Sequence, residues 1–291
     1  MIAYPNINPV ALRLGPFQVH WYGIMYLLGF GTGWLLGRRR AARPGSTWKP
    51  VDVDDLVFFG MVGGILGGRL GYVLIYGLSF WTAQNPWYPF EIWDGGMSIH
   101  GGFIGAILAL ALFAWRRGRN VADVWDFTVP LGPPGLFFGR IGNFINGELW
   151  GKTTTVPWGF IVDPRHVHPS QAENALSYCA TYGITPCILH VHPSQLYEGL
   201  LEGVVLFTVM WWFTAKARPR LAPSGLFLVL YGSFRFLIEF VRMPDPQLGY
   251  LAWGWLTMGQ VLSLPMILIG GAFLTYAYSA RARSGNFVPA Q

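Results

Sequence analysis

The run GRIGNFINGELWG, Gly139 to Gly151, sets Arg140, Asn143, Asn146 and Glu148 at the end of an apolar segment. Arginine at hydrocarbon depth costs roughly 2.5 to 3.5 kcal/mol on insertion scales, so it is paired, or it faces a wet cavity or an anionic lipid group. A second polar set reads as one helix face: Tyr231, Arg235, Glu239 and Arg242 follow at i, i+4, i+8 and i+11, spacings that share a side of a helix. Glu239 is placed there to hold a guanidinium. Glu198 and Glu202, one turn apart behind Tyr197, would repel each other unless facing arginines compensate. Arg69, Tyr72 and Tyr76 make a further stripe, and Tyr22 and Tyr26 another; interhelical hydrogen bonds account for such residues as readily as a ligand does. In GGMSIHGG, Gly95 to Gly102, His100 is flanked by glycines that let backbone or a ligand come near. Histidine ordinarily titrates near neutral pH, and arginine forks bind phosphate bidentately and stabilise charge on a leaving phosphate. An outward-facing cavity holding Arg140, Arg235 and His100 would therefore suit chemistry on a phosphate ester.

The elements that must hold these groups are membrane helices. With 53% hydrophobic and 12% charged residues and a mean hydropathy of +0.38, the chain does not have the composition of a soluble globule. Apolar stretches near the length a bilayer crossing needs run at about 18–37, 56–77, 97–114, 122–140, 196–214, 222–241 and 256–278. They predict an all-α integral membrane protein with about seven transmembrane helices. Pro130, Pro133 and Pro134 must kink or break the fourth, and a broken helix at depth usually lines a cavity.

Lys and Arg set the orientation. Arg38, Arg39, Arg40, Arg43 and Lys49 follow the first helix; Arg116, Arg117 and Arg119 follow the third; Lys216, Arg218 and Arg220 follow the fifth; Arg281 and Arg283 follow the seventh. The other side holds Arg13, Lys152 and Arg165, so the N-terminus is expected outside and the C-terminus in the cytoplasm. The net charge of +6 is then a topology signal and does not imply nucleic acid. With no charged n-region before it and no small-residue cleavage site after it, the first apolar run reads as a retained span.

Residues 1–291 read as one polytopic membrane domain, with 144–194 as a small external insertion between helices four and five. That insertion holds both cysteines, Cys179 and Cys187, and an oxidising compartment would permit a disulfide between them; whether they pair is left open. HVHPSQ occurs in it twice, at His166 to Gln171 and His190 to Gln195. No CxxC or HxxxH spacing supports a metal there, and neither metal nor cofactor is expected. Trp81, Trp87, Tyr88, Trp93, Trp253 and Trp255 suit an aromatic belt at the water interface, and GGILGG, Gly63 to Gly68, suits close helix packing.

Over nearly its whole length the chain resembles the bacterial phosphatidylglycerol:prolipoprotein diacylglyceryl transferases. GRxGNFxNxExxG is met at every fixed position by Gly139 to Gly151. HWYG at His20 to Gly23, WDGGMSIHGG at Trp93 to Gly102, HPSQLYE at His192 to Glu198 and YGSFRFLIEFVR at Tyr231 to Arg242 are similar to the family's other motifs. The resemblance implies transfer of the diacylglyceryl group of phosphatidylglycerol to the lipobox cysteine of a preprolipoprotein, giving a thioether and glycerol 1-phosphate. It implies that Arg140 and Arg235 grip the headgroup and stabilise the departing phosphate, and that His100 deprotonates or orients the thiol. Tyr22, Asn143, Asn146, Glu148, Tyr231 and Glu239 would shape the site, with Arg69, Gly151 and Arg242 counted among the binding residues. Its partners would be the lipid and the signal peptide and lipobox, in the inner membrane with the site towards the periplasm. The first HVHPSQ and the cysteine pair belong to no motif of that family. A secondary transporter of an organic anion is the alternative, since it too would use intramembrane arginines and a broken helix; an intramembrane hydrolase would need an activated serine, a metal pair or two aspartates at depth.

Overall fold

The computed structural model describes residues 1–81, 85–91, 96–244, 249–279 and 287–288. Trp93 and the start of its motif, and the basic residues Arg281 and Arg283, lie outside them.

Each apolar stretch folds as helix: α1 (Trp21–Ala41), α2 (Pro50–Ile75), α3 (Ile99–Arg116), α4 (Val121–Thr128) with α5 (Pro133–Asn146), α7 (Ser194–Glu198) running on through a π turn into α8 (Leu206–Thr214), α9 (Ala222–Ile238) and α10 (Met258–Tyr278). Local chemistry sets the ends. Ser98 Oγ accepts the Gly101 amide at 3.2 Å to start α3, and Thr257 with Gln260 forms a capping box on α10. The prolines break the fourth stretch as expected, α4 giving way to a 3-10 turn at Val129–Leu131 before Pro133 opens α5.

Among the described residues three helices are long and apolar enough to cross a bilayer: Pro50–Ile75, Ser194–Thr214 and Met258–Tyr278. The apolar helices His100–Arg116 and Ala222–Ile238 are shorter, and α1 ends in Arg38, Arg39 and Arg40. Outward-facing apolar side chains such as Phe58, Leu108, Trp212 and Leu268, each more than 60% exposed, need lipid to cover them. This is a membrane protein. Helices α2 and α3 meet along a seam of small residues, where a Cβ on Gly67 would lie 2.4 Å from the Gly101 carbonyl oxygen and 2.6 Å from Gly105 Cα, so GGILGG does pack helix on helix.

The all-α expectation needs a correction outside the helices. Strands β1 (Ile2–Ala3), β4 (Phe160–Val162) and β5 (Leu189–Val191) form a small sheet in the order β1-β4-β5, and β2 (Val10–Leu14) with β3 (Phe17–His20) forms a hairpin. The N-terminus supplies an edge strand to the 144–194 segment, paired parallel to β4. A core of Tyr4, Trp150, Val162, Val167, Ala175, Cys179, Leu189 and Val191 joins that sheet to α6 (Pro169–Tyr182). Cys179 and Cys187 do pair, closing a disulfide over a separation of 8 residues.

Candidate active site

Arg140 lies on α5, whose contact with the α7–α8 helix is close because Gly203 has no side chain: a Cβ there would meet Phe137 Cβ at 2.6 Å. The π turn Gly199–Val205 begins between the two glutamates and carries Glu202. Both carboxylates face Arg140. Its Nε lies 2.7 Å from Glu198 Oε2 and its Nη2 lies 3.5 Å from Glu202 Oε2. From α9, Arg235 reaches the same pair, 2.9 Å from Glu198 Oε1 and 4.0 Å from Glu202 Oε1. The expected repulsion between the glutamates is therefore offset by facing guanidiniums.

Glu239 holds two guanidiniums, Arg235 at 2.7 Å and Arg242 at 3.2 Å. It also accepts from Thr257 Oγ1 at 2.6 Å. Gly259 leaves the room for this, since a Cβ there would fall 2.5 Å from the Glu239 carboxyl carbon. Arg242 Nε lies 3.6 Å from Glu198 Oε1, so three arginines and three glutamates form one cluster with no formal net charge. Glu198 is 1% exposed, while Arg140 and Arg235 keep 19% and 17% of their side-chain surface. The acids are sealed in and the guanidiniums are partly open, so an arriving anion would meet arginine first. Tyr231, one turn before Arg235, faces the same charges.

The rest of the Gly139–Gly151 run follows the end of α5. Gly147, in the left-handed region at φ 66°, turns the chain out of the helix. Glu148 is then caught by its own motif, its Oε1 accepting from Asn143 Nδ2 at 2.8 Å and Asn146 Nδ2 at 3.4 Å. Gly151 bridges to Arg242, and a Cβ on it would come within 2.6 Å of the Val241 carbonyl oxygen; only glycine lets the two chains approach. Tyr22 lies against Gly142, whose Cβ would fall 2.7 Å from the ring, and its hydroxyl meets that of Tyr26 at 3.5 Å.

Two residues stand apart. Arg69 is buried and gives its donors to backbone, to Tyr88 O at 2.6 Å and to Pro89 O and Gly96 O at 3.3 Å, with its guanidinium 4.8 Å from the Tyr88 ring centre. It fastens the loop ahead of α3 to α2. His100 stands in the first turn of α3, exposed, and belongs to none of the ion pairs above. The structure thus joins Arg140, Arg235, Arg242 and Glu239 directly, and Asn143, Asn146 and Glu148 beside them.

A family profile described as prolipoprotein diacylglyceryl transferase matches residues 9–276. The chain belongs to that family. It is 56% identical over 270 residues to the phosphatidylglycerol--prolipoprotein diacylglyceryl transferase of Nitratidesulfovibrio vulgaris strain Miyazaki F, covering 93% of this chain and 94% of that protein. The proteins of the same name from Coxiella burnetii strain RSA 331 and Pseudomonas fluorescens strain Pf0-1 are 54% and 52% identical. They cover 97% and 99% of this chain, and 100% and 99% of their own lengths.

For a transferase of this family, the sequence places Glu239 in the site but not the other two glutamates that tie its arginines together, Glu198 and Glu202, nor Thr257. Glu198 and Glu202 were visible as an i, i+4 acidic pair in an apolar helix, a pattern that demands cations nearby. Thr257 gave no such signal, because its contact with Glu239 crosses from one helix to another.

Proposed function

We propose that this chain transfers the diacylglyceryl group of phosphatidylglycerol to the thiol of a lipobox cysteine in a preprolipoprotein, with release of glycerol 1-phosphate. The observation that carries the reading is the convergence of Arg140 and Arg235 on one partly open site, in a chain matched by the family over nearly all its length.

The two guanidiniums bind the lipid phosphate, and the headgroup competes with Glu198 for their donors. The sulfur–carbon bond forms at the glycerol carbon as the bond from that carbon to the phosphate oxygen breaks. The phosphate leaves with the electron pair, and both arginines stabilise its growing charge. The substrate thiol, with an ordinary pKa near 8.5, gives its proton to His100. Asn143, Asn146, Glu148 and Gly151 set the wall beside Arg140; Glu239, Arg242 and Tyr231 hold Arg235; Tyr22 backs α5; Arg69 positions the loop that leads into α3, on whose first turn His100 stands. The chain crosses the bacterial inner membrane about seven times, N-terminus outside and C-terminus in the cytoplasm. That puts the site towards the periplasm, where a translocated signal peptide presents its cysteine.

The test uses purified protein in detergent with phosphatidylglycerol and a lipobox peptide. Loss of peptide thiol in step with released glycerol phosphate is expected. Anion flux in liposomes without turnover would replace this reading with a transporter.

A further inference from the structure

The Cys179–Cys187 disulfide and the duplicated HPSQ have no part in the chemistry above, yet the contacts around them share a pattern. Both HPSQ copies open helices. His168 caps α6 with Gln171 in a capping box, and Pro193 precedes α7. Both glutamines then turn to the same loop: Gln171 Nε2 donates to Ile145 O at 2.8 Å, and Gln195 Nε2 donates to Glu148 O.

They are part of a larger set. The last carbonyls of a helix have no partner within it, and those of α5 run straight into a loop in which Leu149 is itself left-handed at φ 59°. Side chains from elsewhere donate to carbonyls of that last turn and of the loop after it. Tyr4 donates to Phe144 O, Asn174 to Asn146 O at 3.1 Å, Ser194 to Leu149 O at 2.7 Å and Tyr178 to Gly151 O at 2.9 Å. Tyr182 extends the row to Pro244 O at 2.8 Å, just beyond Arg242. Gln171, Asn174, Tyr178 and Tyr182 follow at i, i+3, i+7 and i+11 of α6, one face of a helix. That face is a rail of four donors along two backbone segments, one bearing Glu148 and the other Arg242. Burial raises the Tyr178 phenol above its ordinary range, so it stays a donor, and the disulfide ties α6 one residue beyond it.

We infer that Gln171, Asn174 and Tyr178 are positioning residues of the site: α6 holds the segment 143–151, the last turn of α5 and the loop after it, so that the Glu148 side chain meets Asn143 and Asn146. The inference rests on the transferase reading for its consequence in turnover, and on geometry alone for the rail. The pair Asn174→Leu and Tyr178→Phe removes two donors and keeps the branching of each side chain, with Tyr178→Phe alone as the milder variant. Backbone amide exchange over 143–151 should rise at least tenfold in the pair while α2 is unchanged; unchanged exchange over 143–151 overturns the rail. In the thioether assay the pair should lose about tenfold in kcat. In a Glu148→Gln background, read at high enzyme concentration, it should cost less than threefold, since residues acting through one another are non-additive. An equal loss in both backgrounds overturns action through Glu148. If the unaltered protein makes no thioether, the transferase reading fails, and the exchange measurement still decides whether α6 holds the loop.

Discussion

Glu198→Gln isolates the group on which the arginine cluster converges. The glutamate is 1% exposed and lies 2.7 Å from Arg140, 2.9 Å from Arg235 and 3.6 Å from Arg242. Glutamine has the same size, so no cavity opens, but three guanidiniums then face two carboxylates. Removing one partner of a buried ion pair costs about 3 to 5 kcal/mol, and two close hydrogen bonds to charged groups, at roughly 1.5 to 3 kcal/mol each, give a similar range. If even 3 kcal/mol of this falls on the arrangement of Arg140 and Arg235 in the transition state, turnover drops more than about 100-fold. The extra positive charge does not weaken binding of an anionic lipid, so KM for phosphatidylglycerol stays level or falls and the loss appears in kcat. Steady-state kinetics with a lipobox peptide, alongside thermal melting in detergent, reads both effects. Turnover within threefold of the unaltered protein and an unchanged melting point would refute the claim that Glu198 organises the arginines.

Arg140→Lys keeps the charge and loses the planar fork, and kcat/KM should fall by at least about 100-fold in the same assay, with expression and melting nearly unchanged. Gly151→Ala forces a methyl against the Val241 carbonyl oxygen and against His192 Cβ, which would lie at 2.8 Å; a cost of about 1 to 3 kcal/mol should show as a lower melting point together with loss of activity. Replacing Cys179 and Cys187 by alanine frees a short loop, for which chain entropy gives roughly 2.5 kcal/mol, and limited proteolysis should cut first between α6 and β5. Burial lowers the His192 imidazole from its ordinary value of 6.5, so as pH falls through 6.5 the unfolded chain takes up the proton first and stability drops. His192→Gln should melt with less dependence on pH between 7.5 and 5.5 than the unaltered protein does.

The helices were legible because a bilayer demands long apolar runs, and the break in the fourth because proline cannot continue a helix. The Arg235–Glu239–Arg242 face was legible too, since i+4 and i+3 spacings fix neighbours within or just beyond one helix. Contacts between elements were not. β1 is two residues long, too short for any period to show, and its partner lies far along the chain. Glu198 and Glu202 announced a need for cations without saying which arginines would meet them. The sequence places Arg69 among the binding residues without showing that it reaches the Tyr88, Pro89 and Gly96 carbonyls ahead of α3. The rail on α6 was hidden in the same way, because Gln171, Asn174 and Tyr178 are ordinary helix-surface residues until the carbonyls of α5 come to lie beside them. Chemistry alone groups His100 with the arginines, and the structure leaves it outside their ion pairs.

The bond that is made distinguishes this reaction most directly. A lipobox peptide incubated with phosphatidylglycerol and the purified protein should gain the mass of one diacylglyceryl group, on cysteine and not on a serine replacement, and the adduct should survive neutral hydroxylamine as a thioether does. A peptide of unchanged mass, or an adduct that hydroxylamine removes as it would a thioester, would contradict it.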